Sequence, residues 1–343
     1  MIRFDSDYTE GAHPQILSAL VETNLEQTPG YGEDAHSERA RARIRRACER
    51  EEADVHFLVG GTQANFTVIA SLLRPYQGVL CAESGHIACH ETGAVEATGH
   101  KVLPLPAEQG KITASQVRAA VEAHYADGTH EHIVQPGMVY ISQPTEFGTL
   151  YRAEELRELS RVCRELGLPL YVDGARLGYA LAADPELTLP QMAAYCDVFT
   201  IGGTKVGLLF GEAVVFPDPA LGRDFRYLMK QRGAMLAKGR LLGVQFEAAF
   251  TDDLYARMGR HAVTQALRIR SALAERGIGV LFPTDTNQQF PILSKKQHAA
   301  LSGRFALSYW QAVDDDHDVW RICTSWATRP EDVDELIAAI RAL

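Results

Sequence analysis

The sequence predicts an α/β protein with a mostly parallel sheet in a large domain, followed by a smaller C-terminal α+β domain. Short β-branched runs alternate with helical apolar spacing from Val55 to Phe216, and this βαβ rhythm implies a parallel sheet covered by helices. The rhythm changes after Phe216. The length of 343 residues also suits one large domain plus a small one. We therefore expect an N-terminal segment and large domain over residues 1–242, and a small domain over residues 243–343.

Individual elements follow from the spacing of apolar residues along the chain. Strands are predicted at residues 55–59, 79–82, 101–105, 138–142, 170–172, 198–201 and 213–216. Helices are predicted at residues 14–26, 37–50, 63–72, 113–126, 153–166, 189–195, 261–276 and 330–343. After the basic stretch at 223–240, further strands are expected at 289–293, 305–310 and 320–325. The acidic run 314–318 favours a solvated hairpin turn.

Composition excludes several classes of protein. With 46% apolar and 23% charged residues, the chain is neither disordered nor collagen-like. Its 34 basic and 44 acidic residues give a formal charge of −10, which argues against a nucleic-acid binder. No apolar run approaches the roughly 18 residues of a membrane span, and the N-terminus has no secretory apolar region. Six cysteines lack a C-x-x-C pair. We therefore expect a cytoplasmic protein without disulfides or membrane contact.

Candidate functional residues should lie where strands lead into helices, because ligands of open α/β sheets bind outside the carboxyl ends of the strands. The first such junction contains Gly60, Gly61 and Thr62. Glycines allow close backbone approach, and the N-terminus of a helix favours an anion such as phosphate. A plain turn before a helix explains the two glycines equally well.

A second junction places Asp173 at the end of an apolar strand, with Arg176 one turn later. The carboxylate could simply cap the next helix. Alternatively, it could keep a ring nitrogen of a cofactor protonated, with Arg176 as a fixed cation beside it.

A third junction carries Thr204 and Lys205 after two glycines at the end of another apolar strand. A lysine between buried apolar runs is costly unless its charge is used or lost. This placement favours a lysine that forms a Schiff base, whose amine becomes nucleophilic when its pKa is lowered.

The fourth junction contains His86 and His90, which are four residues apart and could share one helix face. A metal site with Cys89 or Glu91 is one interpretation, although no familiar zinc spacing supplies a third ligand. We favour His86 as a flat ring stacked on a planar cofactor and His90 as an ordinary polar residue, and so expect no metal.

The order of these features resembles fold-type I pyridoxal-phosphate enzymes, which have the transferase-like fold of that class. More narrowly, the sequence resembles the low-specificity threonine aldolases of the β-eliminating-lyase group. The motifs that carry this resemblance are G-T-Q-A-N at 61–65, His86, V-D-G-A-R at 172–176, the pair Thr204-Lys205, and Arg321 in W-R-I-C-T-S. The likeness extends from Ser6 to the terminal helix and covers nearly the whole chain.

The resemblance implies roles in binding pyridoxal 5'-phosphate. Lys205, preceded by Thr204, would carry the cofactor, and Asp173 would pair with its pyridine nitrogen. Arg176 would lie beside the ring oxygen, and His86 would stack on the ring.

The phosphate would be bound by Gly61 and Thr62. Here the chain departs from the family, whose members tend to carry G-G-G-M-R-Q-S-G after the lysine. Residues 233–239 instead read G-A-M-L-A-K-G, without the arginine. This leaves Lys238 or Arg232 as the candidate phosphate contact across a dimer.

The substrate would be bound by Ser6 and Arg321, which would hold its carboxylate; a bidentate grip suits a guanidinium. Tyr31 matches a family segment that reaches the site from a neighbouring subunit. A second departure is Glu146, which stands where better-known members carry a histidine in T-H-N-G. A buried carboxylate could take the proton of the substrate hydroxyl, or it could tie down a loop through backbone N–H groups.

The implied reaction is retro-aldol cleavage of L-threonine, L-allo-threonine or related β-hydroxy-α-amino acids to glycine and an aldehyde, in a homodimer or homotetramer with shared sites. The base would be Glu146, His86 or an ordered water. A β-eliminating lyase, racemase or desulfurase would use the same cofactor to break a different bond. A metal hydrolase built on His86 and His90, and a non-catalytic small-molecule binder, are the alternatives outside this class.

Overall fold

A seven-stranded sheet lies at the centre of the computed structural model, which describes residues 1–343. The strands of the whole chain are β1 (Ile2–Arg3), β2 (Asp54–Leu58), β3 (Gln77–Ala82), β4 (Lys101–Leu105), β5 (Gln135–Ser142), β6 (Leu170–Asp173), β7 (Val198–Gly202), β8 (Glu212–Phe216), β9 (Gln288–Gln289), β10 (Ile292–Ser294), β11 (Phe305–Ala306), β12 (Ser308–Ala312) and β13 (His317–Cys323).

The order of strands in the central sheet is β2-β8-β7-β6-β5-β3-β4. Five neighbouring strands pair in parallel, whereas β8 pairs antiparallel with both β2 and β7. The reversal has a local cause, since only a short connection separates the end of β7 from the start of β8. The predicted α/β class with a mostly parallel sheet is therefore confirmed.

Helices cover both faces of this sheet and extend beyond it. They are α1 (Pro14–Glu22), α2 (Ala35–Ala47), α3 (Gly61–Leu72), α4 (His86–Cys89), α5 (Ala114–Ala126), α6 (Ala153–Leu166), α7 (Leu177–Ala183), α8 (Leu189–Tyr195), α9 (Phe225–Gln231), α10 (Arg240–Ala249), α11 (Leu254–Glu275), α12 (Lys295–Ser302) and α13 (Pro330–Arg341). No helix is both long and apolar enough to cross a membrane.

Alternation along each strand divides the core between the two faces of the sheet. In β5, Val139 and Ile141 belong to a cluster of 45 buried residues, whereas Met138 and Tyr140 belong to a cluster of 19. The continuous apolar runs of these strands are explained by burial on both faces.

A third cluster of 13 buried residues joins Phe4 to the C-terminal segment. The long helix α11 spans two clusters: Met258 packs in the largest cluster and Ile269 in this third one. The expected boundary at 242/243 falls inside α10, where Leu242 belongs to the largest cluster. Because α11 packs against both clusters, we propose a domain boundary within this helix. The spacing of apolar residues in the sequence does not reveal which core a helix packs against.

Most predicted elements are present, and the discrepancies have physical causes. The predicted strand 289–293 is divided into β9 and β10 at Pro291, which has no N–H for a ladder. The helix predicted at 261–276 begins earlier, at Leu254. In this earlier part of the helix, a Cβ on Gly259 would overlap the carbonyl of Gly178, so the glycine permits close packing of α11 on α7. The acidic run joins β12 to β13 in an antiparallel hairpin, as predicted.

Candidate active site

One edge of the central sheet collects most of the predicted site residues. The carboxyl ends of β2, β3, β5, β6 and β7 meet there, because these strands run in the same direction. The reversed strand β8 begins at the same edge, where Glu212 pairs with Gly202. Loops leaving this edge therefore carry Gly61, His86, Glu146, Asp173 and Lys205 to one region.

Lys205 follows β7 on a turn that the preceding residues hold rigidly. The N–H groups of Gly203 and Thr204 donate to the carbonyl of Gly211 at 3.0 and 3.1 Å, and the N–H of Gly211 donates to Thr204 Oγ1 at 3.0 Å. Burial lowers the pKa of the Lys205 amine, and the charge of Arg176 lowers it further. The turn thus presents a partly buried amine that loses its proton more readily than an exposed lysine does.

Asp173 ends β6 as a buried carboxylate with three donors. Tyr140 donates to Oδ2 at 2.7 Å, Asn65 donates to the same oxygen at 2.9 Å, and the N–H of Ala175 donates to Oδ1 at 2.9 Å. Burial alone would raise the pKa of Asp173, but the charge of His86 and these hydrogen bonds outweigh it and hold the pKa below its usual range. The carboxylate is therefore ionised, and it does not cap α7.

His86 begins the short helix α4, and its Nδ1 lies 2.8 Å from Oε1 of Glu91. The Glu91 side chain is fully buried, whereas that of His86 is 31% exposed. Burial would lower the pKa of His86, but the hydrogen bond with Glu91 prevails and raises it. The contact with Glu91 thereby engages Nδ1 of His86 and fixes the orientation of its ring, and the exposed part of the imidazole faces outward. The rings of His86 and His90 lie 5.7 Å apart between centroids, and no group of three or more side chains could hold a metal ion.

The glycine turn after β2 leads into α3, which begins at Gly61. A Cβ on Gly60 or Gly61 would meet no atom within 4 Å, so open space adjoins the first turn of this 12-residue helix. Arg232 lies beside that turn in the same chain: its carbonyl accepts from Gln63 at 3.2 Å, and its guanidinium is 5.4 Å from the Phe66 ring. The arrangement combines a helix N-terminus with a nearby cation, which suits an anion.

Lys238 does not share this position. It is exposed, and it belongs to a loop in which the carbonyl of Ala237 accepts from the N–H of Tyr31 at 3.1 Å. Tyr31 is 46% exposed, and the Lys230 amine lies 4.6 Å from its ring centroid. The roles assigned to Lys238 and Tyr31 remain predictions, which require a second subunit.

Arg321 extends from β13 towards the N-terminal segment. Its Nη2 donates to the carbonyl of Asp5 at 2.9 Å, and its Nη1 lies 3.4 Å from Gln288 Oε1. Arg321 Nε and Ser6 Oγ are buried and have no hydrogen-bond partner. Buried polar atoms of this kind are costly unless a ligand satisfies them. Arg321 therefore bonds to the residue that precedes Ser6, and each side chain of this predicted pair keeps a polar atom without a partner.

Glu146 reaches His86 from the loop after β5. Its Oε1 accepts from the N–H of His86 at 2.8 Å and from the hydroxyl of Ser142 at 2.6 Å. Burial raises the pKa of Glu146. The structure is compatible with both interpretations of Glu146. Its carboxylate accepts a hydrogen bond from a backbone N–H, as a residue that fixes a loop would, and its pKa is raised, as that of a general base would be.

The sequence predicted no role in cofactor or substrate binding for several buried residues near this edge. Asp7 forms an ion pair with Arg176, so this guanidinium is already engaged on one side. Glu212, Glu91 and Asn65 carry the other unassigned polar groups. Glu91 was considered only as a metal ligand, and Asn65 only as part of the G-T-Q-A-N motif. Asp7 marked the start of the family likeness without a role of its own, and nothing in the sequence indicated Glu212.

Comparison with known proteins shows the family to which the chain is related. The family model described as beta-eliminating lyase matches residues 4–296. A low specificity L-threonine aldolase of Pseudomonas aeruginosa is 33% identical over 99% of this chain and 97% of its own length. The relative of that name from Saccharomyces cerevisiae is 25% identical, with 79% of this chain and 70% of its own length covered.

Solved structures extend the comparison to the fold. A threonine aldolase of Leishmania major superposes with a TM-score of 0.96 at 40% identity, covering 100% of this chain and 99% of that one. An aspartate aminotransferase of Thermus thermophilus shares the fold at 14% identity, with a TM-score of 0.71 over 100% of this chain and 91% of its own. The family match over most of the chain decides the assignment: the chain belongs to the beta-eliminating lyase family and has the fold-type I architecture.

Proposed function

We propose that this chain binds pyridoxal 5'-phosphate and cleaves the Cα–Cβ bond of L-threonine, L-allo-threonine or related β-hydroxy-α-amino acids to give glycine and an aldehyde. One observation carries the proposal: the Lys205 amine, with its lowered pKa, lies at the same sheet edge as the ionised carboxylate of Asp173. The names of the Pseudomonas aeruginosa and Leishmania major relatives support the choice of reaction.

The residues of the site fit the cofactor. Open space at Gly60 and Gly61 adjoins a helix N-terminus, which offers free N–H groups to a phosphate. Buried polar atoms without partners surround the site, among them Ser6 Oγ, Ser84 Oγ and Arg321 Nε. A polar ligand would satisfy these groups. Lys205 would hold the cofactor through its amine, Asp173 would accept a hydrogen bond from the ring nitrogen, and Thr62 would bind the phosphate.

When bound, pyridoxal phosphate supplies an electron sink for the pair that remains on Cα after bond cleavage. Two side chains prepare for that chemistry through their protonation states. Asp173 stays anionic and thereby favours a proton on the ring nitrogen, while Lys205 offers a neutral amine at lower pH than an exposed lysine would.

Arg321 and Ser6 would orient the substrate. The unpartnered Nε of Arg321 and the hydroxyl of Ser6 would bind the substrate carboxylate, since both are buried and lack other partners. A fixed carboxylate determines where the β-hydroxyl lies. Glu146, with its raised pKa, then holds or accepts the hydroxyl proton, and His86 or an ordered water is the alternative base.

The proposed assembly is a homodimer or homotetramer that acts in the cytoplasm. Exposed apolar side chains support association, and they include Leu17, Val21, Tyr31 and Tyr227. The Lys238 loop is hydrogen-bonded to the segment that carries Tyr31, so a partner subunit could contact both residues. All six cysteines are free, which suits a reducing compartment.

Product analysis tests the proposed reaction. The protein loaded with pyridoxal phosphate is incubated with L-threonine and L-allo-threonine, and the products are separated and quantified. Acetaldehyde and glycine in equal amounts support the proposal. Formation of 2-oxobutanoate and ammonia would identify a β-eliminating lyase, and inversion at Cα without cleavage would identify a racemase.

A further inference from the structure

Asn65 lies between two buried carboxylates. It occupies the second turn of α3 and is fully buried. Its Nδ2 donates to Glu91 Oε1 at 2.7 Å and to Asp173 Oδ2 at 2.9 Å. An amide NH₂ has two donor hydrogens, so each carboxylate receives one. A single side chain thus provides hydrogen bonds to both acidic groups.

The orientation of this amide is fixed by a third contact. The hydroxyl of Tyr171 donates to Asn65 Oδ1 at 2.6 Å. A flipped amide would present its oxygen to both carboxylates and its NH₂ to the tyrosine hydroxyl. This orientation is disfavoured because the amide oxygen, an acceptor, would then face two anionic acceptors. The Tyr171 ring itself is buried within the sheet, so the donor has little freedom to move away.

Through Asn65, two parts of the site become one hydrogen-bonded chain. His86 Nδ1 meets Glu91 Oε1 at 2.8 Å, and the same oxygen accepts from Asn65. At the other end, Asp173 accepts from Asn65 and Tyr140. The charge of His86 already acts on Asp173 and favours its ionised form. Removal of the amide would leave two buried carboxylates short of a donor at once.

We propose that Asn65 is a positioning residue that keeps Glu91 and Asp173 as hydrogen-bond acceptors simultaneously, and so fixes both the His86 ring and the anionic state of Asp173. The inference rests on the proposed function, in which a pyridine ring binds next to these two groups. Other titratable groups act on this network from neighbouring elements, namely Tyr140, Lys205, Glu146 and Glu212. None of them donates to both carboxylates.

The variant Asn65→Asp tests the proposal most directly, because aspartate keeps the shape of the asparagine side chain but offers at most one donor hydrogen in place of two. Each protein is loaded with pyridoxal phosphate, and its visible absorption is recorded from pH 5 to 9 together with the cofactor dissociation constant. Relative to the unmodified protein, we expect the pH midpoint of the absorption change to shift by about one unit. We also expect the dissociation constant of the cofactor to rise about tenfold. Both readouts are independent of which substrate bond is cleaved.

Two further variants make the result decisive. Thr67→Val changes a buried side chain on the same helix whose hydroxyl has no partner, and it should leave both readouts unchanged. Tyr171→Phe removes the hydroxyl that orients the amide and should shift the absorption transition in the same direction as Asn65→Asp, by a smaller amount. This variant carries the test if Asn65→Asp does not fold.

The proposal is overturned if Asn65→Asp lowers only the thermal midpoint while its absorption profile and cofactor affinity match those of Thr67→Val. It is also overturned if Asn65→Asp does not fold and Tyr171→Phe retains the unmodified profile. Failure of the proposed function would look different, because the unmodified protein itself would then bind no pyridoxal phosphate, and that result would overturn both proposals.

Discussion

Asp7 and Arg176 form a buried two-point ion pair across 169 residues of chain. Arg176 Nε donates to Oδ2 of Asp7 at 2.6 Å, and Nη2 donates to Oδ1 at 3.0 Å. The side chain of Asp7 is fully buried and that of Arg176 is 13% exposed. Asn287 adds a hydrogen bond to the same carboxylate at 2.9 Å. The pair joins the N-terminal segment to the loop after β6 and sets the position of Arg176 at the site.

Replacement of Asp7 by alanine should destabilise the protein strongly, because it leaves a buried guanidinium without its partner. We expect the free energy of unfolding to fall by about 3–5 kcal/mol in denaturant titrations at pH 7. Glu275→Ala breaks the exposed ion pair with Arg341 and serves as the control, with an expected loss below about 1 kcal/mol. Equal losses in the two variants would contradict this account of the buried pair.

This ion pair should also make the stability of the protein depend on pH in the acidic range. Burial alone would raise the pKa of Asp7, but the charge and hydrogen bonds of Arg176 outweigh it and hold the pKa below its usual value of 3.8. The resulting stabilisation is present above pH 3.8 and is lost as the pH falls through the lower folded value. The stability difference between the unmodified protein and Asp7→Asn should therefore shrink below this pH.

Local signals were sufficient to predict much of the site. Lys205, Asp173, His86 and Gly61 each follow an apolar strand, and the direction of parallel strands places such residues at one edge of a sheet. The two departures from the family pattern, Glu146 and residues 233–239, were visible by comparison with the family motifs.

The residues that the sequence did not reveal depend on contacts between distant parts of the chain. Nothing near Asp7 indicates that its partner is Arg176. Glu212 reaches the site only because β8 runs against its neighbours, and periodicity carries no information about strand direction. The boundary predicted at 242/243 stays a prediction, and so does the boundary proposed within α11. Periodicity could not reveal that this one continuous helix packs against two clusters.

Glu212 should make stability depend on pH in the opposite sense to Asp7. Burial raises its pKa to about 8, although the charge of Lys205 acts to lower it. Stabilisation from the protonated form is complete below the unfolded value of about 4.5 and is lost as the pH rises through about 8. Glu212→Gln cannot ionise. The unmodified protein should therefore lose stability relative to this variant between these two pH values in denaturant titrations, and a constant difference would refute the assignment.

Glu146→Gln separates the catalytic from the structural interpretation of Glu146. The amide oxygen of glutamine can still accept from the His86 N–H and the Ser142 hydroxyl, so folding and glycine binding should persist. If Glu146 is the base, turnover of threonine should fall about 100-fold. Glu158→Gln, on the exposed face of α6, is the matched control. Unchanged turnover would transfer the role of base to His86 or to water.

Arg321→Lys tests how the substrate carboxylate is held. Lysine keeps the positive charge but cannot offer the paired donors of a guanidinium, so the KM for threonine should rise about tenfold or more with a smaller change in kcat. Arg304→Lys alters an exposed arginine of the same domain and should leave both parameters unchanged. A KM that Arg321→Lys does not alter would show that this side chain does not bind the carboxylate.

Identification of the lysine that carries the cofactor tests the central claim most directly. The protein is loaded with pyridoxal phosphate, reduced with borohydride, digested and mapped by mass spectrometry, with Lys205→Ala treated in parallel. We predict a pyridoxyl label on Lys205, the lysine whose pKa is lowered by burial at the sheet edge, and no label at any other lysine of the unmodified protein. A label on Lys230 or Lys238 in the unmodified protein, with Lys205 unlabelled, would contradict the account.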